Sequence, residues 1–399
     1  MLKEKTQELS APIILLMAIA CGLCTGSNYY SQPLLNSIAL DFEVTKTSAA
    51  YISFIAQTMY TLGLFFLVPL GDMFQKKNVI VGFMGLAALG QLTCAFSSSI
   101  NLMYLGTAIS SLFSIAAQVL LPFSTTLVKP ERSAQVVGTL MSGLLMGILM
   151  ARTVAGFLST IMSWHVIYVL SGALLALTSI LLFVKLPGNQ SPKIIYKDIL
   201  KSMYVLLKTQ PTLQKRSILG GLCFSAVSTV FTTMALVLSE APYQFSDFQI
   251  GLVGLVGITG VMLGPWTGKK FQQGQQEKWT KISLYLLVAS WGVLLGAQIS
   301  LWIYLAGLIL IYIALSIIHI LNQNVVYQID QHSRSRLNSI YMTIYFSGAA
   351  MGSFIAINIW DHWGWMGCCV FGLLMSLSCT AVNGFWKTSI RPIQQVGYE

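Results

Sequence analysis

Charge is scarce in this chain, and the places it avoids are informative. Only 9% of the 399 residues are Asp, Glu, Lys or Arg, against 55% that are hydrophobic. A soluble surface needs far more charge than that. Acids are scarcest: there are 13 Asp and Glu, and none lies in the middle of an apolar run. Asp41, Glu43, Glu240, Asp247 and Asp361 stand at one set of run ends, and the remaining acids at the opposite set. No GxxxxGK[ST] run is present, so no phosphate-cradling loop for direct use of ATP is expected. Neither a metal-ligand cluster nor a Ser-His-Asp set stands out. An enzyme is therefore not expected, nor any catalytic residue, metal site or cofactor. The cysteines are Cys21, Cys24, Cys94, Cys223, Cys368, Cys369 and Cys379, all in or beside apolar runs. Cys21 and Cys24 form a CxxC without accompanying ligands, which on a membrane helix only places two small residues on one face.

What the chain has in quantity is long apolar runs. A bilayer crossing takes about 20 mainly apolar residues, and twelve such stretches can be read: 11–36, 47–70, 78–97, 100–127, 133–160, 165–186, 216–239, 247–267, 280–299, 301–328, 338–360 and 365–387. The first is too long for a signal-peptide core and shows no cleavage site, so it is expected to stay in the mature protein. The formal net charge is +10, which alone would admit a nucleic-acid partner. Its distribution argues against one. Of the 23 Lys and Arg, all but Lys46 and Arg152 fall in the tails and alternate loops or at the run ends that adjoin them. That asymmetry places both termini and those loops in the cytoplasm. The expected organisation is an N-terminal six-helix bundle over 1–186, a basic linker over 187–213, and a C-terminal six-helix bundle over 214–399. Within the linker, Ile195, Ile199, Met203 and Leu206 recur at helical spacing among lysines. This predicts an amphipathic helix on the cytoplasmic membrane face.

Polar residues inside the runs mark the candidate site. In the first, Asn28, Tyr29 and Gln32 cluster before Pro33, and Asn28 and Gln32 share a helix face. The fourth carries Ser110, Ser111, Ser114 and Gln118. Amides in hydrocarbon need partners or water, which predicts either a water-accessible cavity or hydrogen bonding between helices. The fifth holds Arg152, which costs about 2.5–3.5 kcal/mol at a helix centre on insertion scales. It either faces a cavity or snorkels to the outer interface. The tenth combines His319, Asn322 and Gln323, with His319 and Gln323 four apart on one face. These eight residues, Asn28, Tyr29, Gln32, Gln118, Arg152, His319, Asn322 and Gln323, are the expected substrate cavity. With no acid in mid-span, His319 is the central proton-carrying candidate, and Glu240 at an outer helix end the secondary one. Arg152 without a buried acid points to a neutral or anionic solute.

The join LVPLGDMFQKKN at 67–78 resembles the loop between helices 2 and 3 of the major facilitator superfamily of secondary transporters. It keeps the acid as Asp72 and the basic pair as Lys76-Lys77, and departs at Val68, Met73 and Gln75. NYYSQPLL, GILMAR at 147–152 and HILNQ followed by RSRLN resemble a bacterial branch that includes drug and sugar efflux permeases. The order repeats: PWTGKK at 265–270 echoes PLGDMF at 69–74, RSRLN at 334–338 echoes RSAQ at 132–135, and Gly348 and Gly352 echo Gly143 and Gly147. The resemblance implies an all-α membrane protein of twelve helices in two pseudo-symmetric bundles, acting in the bacterial inner membrane as a monomer on a small molecule, with protons as the coupling partner. It also implies a cytoplasmic gate of Gly71, Asp72, Lys76, Lys77, Arg334 and Arg336, in which Asp72 caps the eleventh helix. Export is the expected activity. An uptake carrier or facilitator of the same fold is the alternative, and a non-transporting membrane sensor the remote one.

Overall fold

The computed structural model describes residues 9–188, 195–260, 275–330 and 333–386, and helix is the only regular structure among them. The helices are α1 (Ala11–Gly26), α2 (Ser31–Asp41), α3 (Lys46–Leu62), α4 (Lys76–Ala95), α5 (Ile100–Phe113), α6 (Ala116–Thr126), α7 (Pro130–Ile161), α8 (His165–Lys185), α9 (Tyr196–Thr209), α10 (Pro211–Ser239), α11 (Asp247–Val253), α12 (Gln276–Leu294), α13 (Leu301–Tyr327) and α14 (Arg334–Phe385). Several begin where a side-chain oxygen accepts a free backbone N–H: Thr45 from Ser48, Ser99 from Leu102, and Ser246 from Gln249.

These elements follow the order of the apolar runs, with breaks that periodicity did not reveal. The first run is two helices bent by 47°. Ser27 Oγ donates to Cys24 O at 2.7 Å and Asn28 Nδ2 to the same oxygen at 3.3 Å. Such bonds compete with the helical ladder, and Pro33 removes the N–H that Tyr29 O would accept. In the second run, α3 passes through a π turn at Gly63–Leu67 into a 3₁₀ turn at Val68–Asp72. The eleventh and twelfth runs are nearly continuous in α14, divided at Gly364, where φ is 56° and ψ is −150°. That conformation is essentially reserved for glycine. By length and apolarity eight described helices suffice to cross a membrane, or nine with the bent pair counted once. α14 supplies two crossings. Asp247–Gly260 is short within the described residues, and α12 is diluted by Glu277, Lys278 and Lys281.

Close backbone contact pairs the helices, and it does so twice in the same way. A Cβ on Gly143 would lie 2.3 Å from Ala18 O, and one on Gly147 2.2 Å from Gly22 O, so α7 lies directly against α1. A Cβ on Gly348 would lie 2.0 Å from Gly221 O, and one on Gly352 2.3 Å from Ser225 O, so α14 lies against α10 in like manner. Small residues let membrane helices approach this far. The repeat echoed in the glycine spacing is thus a repeat of packing. PWTGKK lies outside the described residues.

Two compact units result: residues 1–196 with 231–255, and residues 197–230 with 256–399. α10 is shared between them, since its C-terminal part from Phe231 belongs to the first unit. It begins at Pro211, earlier than the run of 216–239 suggested, so Lys215 and Arg216 are helical and buried. α9 forms where the amphipathic stretch was expected, but its apolar stripe meets protein instead of a membrane surface. Ile199, Met203 and Leu206 are buried, and only Ile195, just outside the helix, stands exposed.

Candidate functional site

In the first unit the break between α1 and α2 turns polar side chains inward. Asn28 Nδ2 donates to Ser114 Oγ at 2.9 Å, and Ser114 itself sits at the interruption between α5 and α6. Gln32 is 2% exposed, and its Oε1 accepts from Arg152 Nε at 2.7 Å. The Arg152 guanidinium lies over the Tyr29 ring at 5.0 Å and the Phe231 ring at 4.8 Å. At 1% exposure Arg152 does not snorkel in this conformation. An amide oxygen and two π faces are a favourable setting for a weakly hydrated planar cation. Gln118 stands apart, donating to Tyr60 Oη at 3.1 Å. Tyr29, Gln32 and Arg152 are therefore brought together, with Phe231 as a member that residue type alone did not mark, while Asn28 pairs with Ser114. Phe231 lies in an unbroken apolar run, and its place could not be told from any other core aromatic.

In the second unit the polar residues of α13 meet both aromatic and charged neighbours. His319 Nδ1 is 3.2 Å from Tyr341 Oη, and its ring is 4.7 Å from that of Tyr345. Tyr345 in turn stacks on Phe224 at 4.2 Å. The imidazole is thus held by Tyr341 and Tyr345 of α14, the latter backed by Phe224 of α10. Gln323 Nε2 meets only the Met342 sulfur, at 3.8 Å. Asn322 is fully buried and its Oδ1 accepts from Arg216 Nη1 at 3.3 Å. Three residues along a helix is about 300° of rotation, which leaves Asn322 within about 60° of His319, and Tyr341 is a hydrogen-bonding partner of both. Arg216 also donates to Glu277 at 2.9 Å and to Thr280 at 3.2 Å, and Lys215 reaches the same carboxylate at 3.6 Å.

Glu240 is half-exposed and pairs with Lys46 at 3.8 Å. Of the residues expected at the gate, Gly71 is buried where a Cβ would meet Val119 at 2.8 Å, and Asp72 closes the 3₁₀ turn. Lys76 opens α4, and Lys77 Nζ lies 4.9 Å from the centre of the Phe183 ring. Arg334 Nε donates to Tyr327 O at 3.3 Å, and Arg336 follows in the first turn of α14. Asp72 belongs to the first unit and Arg334 to the second.

One acid stands where sequence reasoning did not look. Asp247, taken as an outer helix end, is 7% exposed and accepts hydrogen bonds from the Ser37 and Ser159 hydroxyls. Its position at the start of a run, preceded by Ser246, reads as an ordinary helix cap. The cap is made by Ser246 and Gln249 instead.

Comparison with known proteins agrees with this architecture. The sequence pattern of the Major Facilitator Superfamily matches residues 17–353. A putative uncharacterized transporter of Escherichia coli (strain K12), YgaY, is 40% identical over 94% of this chain and 95% of its own length. A probable transporter of Streptomyces coelicolor is 26% identical over 96% of this chain and 88% of its own. Among solved structures, the nucleoside transporter NupG is similar with a TM-score of 0.75 at 13% identity, over 93% of this chain and 99% of its own. The human organic anion transporter MFSD10 gives 0.70 at 14% identity, over 94% of this chain and 100% of its own. Both show the fold alone. With its twelve-helix architecture, the match along most of its length and relatives that are themselves named transporters, the chain belongs to the Major Facilitator Superfamily and is a multi-pass membrane transporter, not an enzyme.

Proposed function

We propose that this transporter exports a small neutral or anionic organic solute across the bacterial inner membrane by alternating access, driven by proton entry, with both termini in the cytoplasm. The halves 1–186 and 214–399, joined by 187–213, are the moving bodies. The observation that carries the reading is Arg152, buried to 1% and positioned by Gln32, Tyr29 and Phe231. A cation at such a cost in the membrane is a functional position by default, and its fork of donors fits a carboxylate or a polar neutral group. His319 serves as the proton carrier, because imidazole changes charge nearest neutral pH, and Tyr341 sets its orientation. Glu240, already paired with Lys46 and open to water, is the weaker carrier.

Flux in proteoliposomes, with and without a pH gradient, tests the proposal. Anionic and neutral solutes should leave by exchange with protons, and Arg152→Leu should abolish movement of the anions. Uphill accumulation in the opposite direction would make it an uptake carrier, and flux indifferent to pH and membrane potential a facilitator.

A further inference from the structure

We propose that Asp247 is a proton-binding site whose occupancy is linked to closure of the outer end, where α11 meets α2 and α7. This rests on the alternating-access part of the reading above, which requires that end to open and close. The carboxyl stands where the three helices converge: Ser37 of α2 donates to its Oδ2, and Ser159 Oγ of α7 lies 3.3 Å from the same oxygen, sharing its one proton between it and Gly156 O at 2.9 Å. Backbone contact seals the surroundings. A Cβ on Gly156 would lie 2.4 Å from Asp247 O, one on Gly251 would lie 2.7 Å from Arg152 O, and Thr153 Oγ1 donates to Gly251 O at 3.1 Å.

Among the described residues no cation comes within ion-pair distance of Asp247. The charged residue on α2 is Asp41, which lies 3.7 Å from His165. On α7, Arg132 lies at the far end of the helix. Arg152 lies beside Gly254, seven residues along from Asp247, roughly 10 Å by helical rise. Lys46, the cation of this end, is paired with Glu240.

Linkage follows from what changes on opening. The positive N-terminus of α11 stays with the carboxyl in either arrangement, so its preference for an anion cancels. The hydration that opening restores does not cancel. Two hydroxyls replace the water shell of a carboxylate only in part, so closure disfavours the charged form. The same hydroxyls can turn to accept from a neutral carboxyl. Closure therefore tightens proton binding, and by reciprocity an acidic exterior favours closure. One proton changes the closed-to-open ratio by at most about tenfold per pH unit.

The test is the distance between spin labels at Leu40 of α2 and Gln249 of α11, both exposed, in nanodiscs between pH 5 and pH 8. The native cysteines are buried, leaving the two introduced thiols as the labelling sites. Wild type should move from a short to a long separation as pH rises, and Asp247→Asn should hold the short one throughout. Ser159→Ala keeps the acid but removes a donor to its charged form, so its transition should move to higher pH, which also serves if Asp247→Asn fails to fold. The neighbouring imidazole is tested by His165→Gln, which should leave the profile in place. A separation independent of pH in wild type, or a wild-type profile in Asp247→Asn, overturns the proposal. If the separation titrates through Asp247 while no pH gradient drives flux, the proton-driven export reading fails and this one stands.

Discussion

At the scale of single residues, the sharpest contrast is between Arg152 and His319. Both are rare groups inside apolar helices, yet the structure surrounds them differently. Arg152 is fixed by a short bond to Gln32 and two ring faces, a geometry that depends on a planar guanidinium. Arg152→Lys keeps the charge but not the fork or the stacking. It should therefore lower anion flux at least tenfold while the protein still inserts, as measured by transport per unit of purified protein in liposomes. His319 is held by one phenolic oxygen and the tilted rings of Tyr341 and Tyr345. His319→Gln should preserve solute exchange but abolish accumulation driven by a pH gradient. Coupling that survives the change would move the carrier elsewhere.

At the scale of elements, glycine positions decide how helices meet. Gly138 has open space where a Cβ would go, whereas Gly147, on the same helix α7, lies against the backbone of Gly22. Gly138→Ala should be neutral or stabilise by about 0.5–1 kcal/mol through helix propensity. Gly147→Ala should cost about 1–3 kcal/mol, because backbone cannot yield as a side chain does. Thermal unfolding of the two variants in detergent checks the difference in sign. Gly364 is a separate case, where the conformation and not the space is restrictive. Gly364→Ala should destabilise by about 1–3 kcal/mol, seen as a lowered apparent Tm and a reduced folded yield.

For the whole molecule, transport requires that the two ends open in turn. Resemblance to the superfamily assigns the cytoplasmic end to Asp72, which here closes a 3₁₀ turn after α3. A carboxylate facing the free N–H groups at the start of another helix is favourable. Asp72→Asn should therefore lose transport without losing insertion, and flux equal to wild type in that variant would remove Asp72 from the gate. The proposed Asp247 site would act at the opposite end, so the two substitutions should bias the transporter toward different conformations, readable by accessibility of introduced thiols at either end.

The sequence by itself determined that this is a membrane protein of twelve helices with an internal repeat. Those properties are local: apolar run length, the side on which lysines gather, and the recurrence of glycines four apart. Asn28, Tyr29, Gln32 and Arg152 were also legible, since polar groups in hydrocarbon must find one another. Only the tertiary structure decided the partners. The kink at Ser27–Tyr30 depends on side chains bonding back to Cys24, and periodicity is blind to that. The oxygen of Asn322 is taken by a buried Arg216, which stands within a helix that starts earlier than hydropathy shows. Asp247 could be placed at a run end but not recognised as buried, because burial at a helix end comes from residues far along the chain, here Ser37 and Ser159, which no local pattern connects to it.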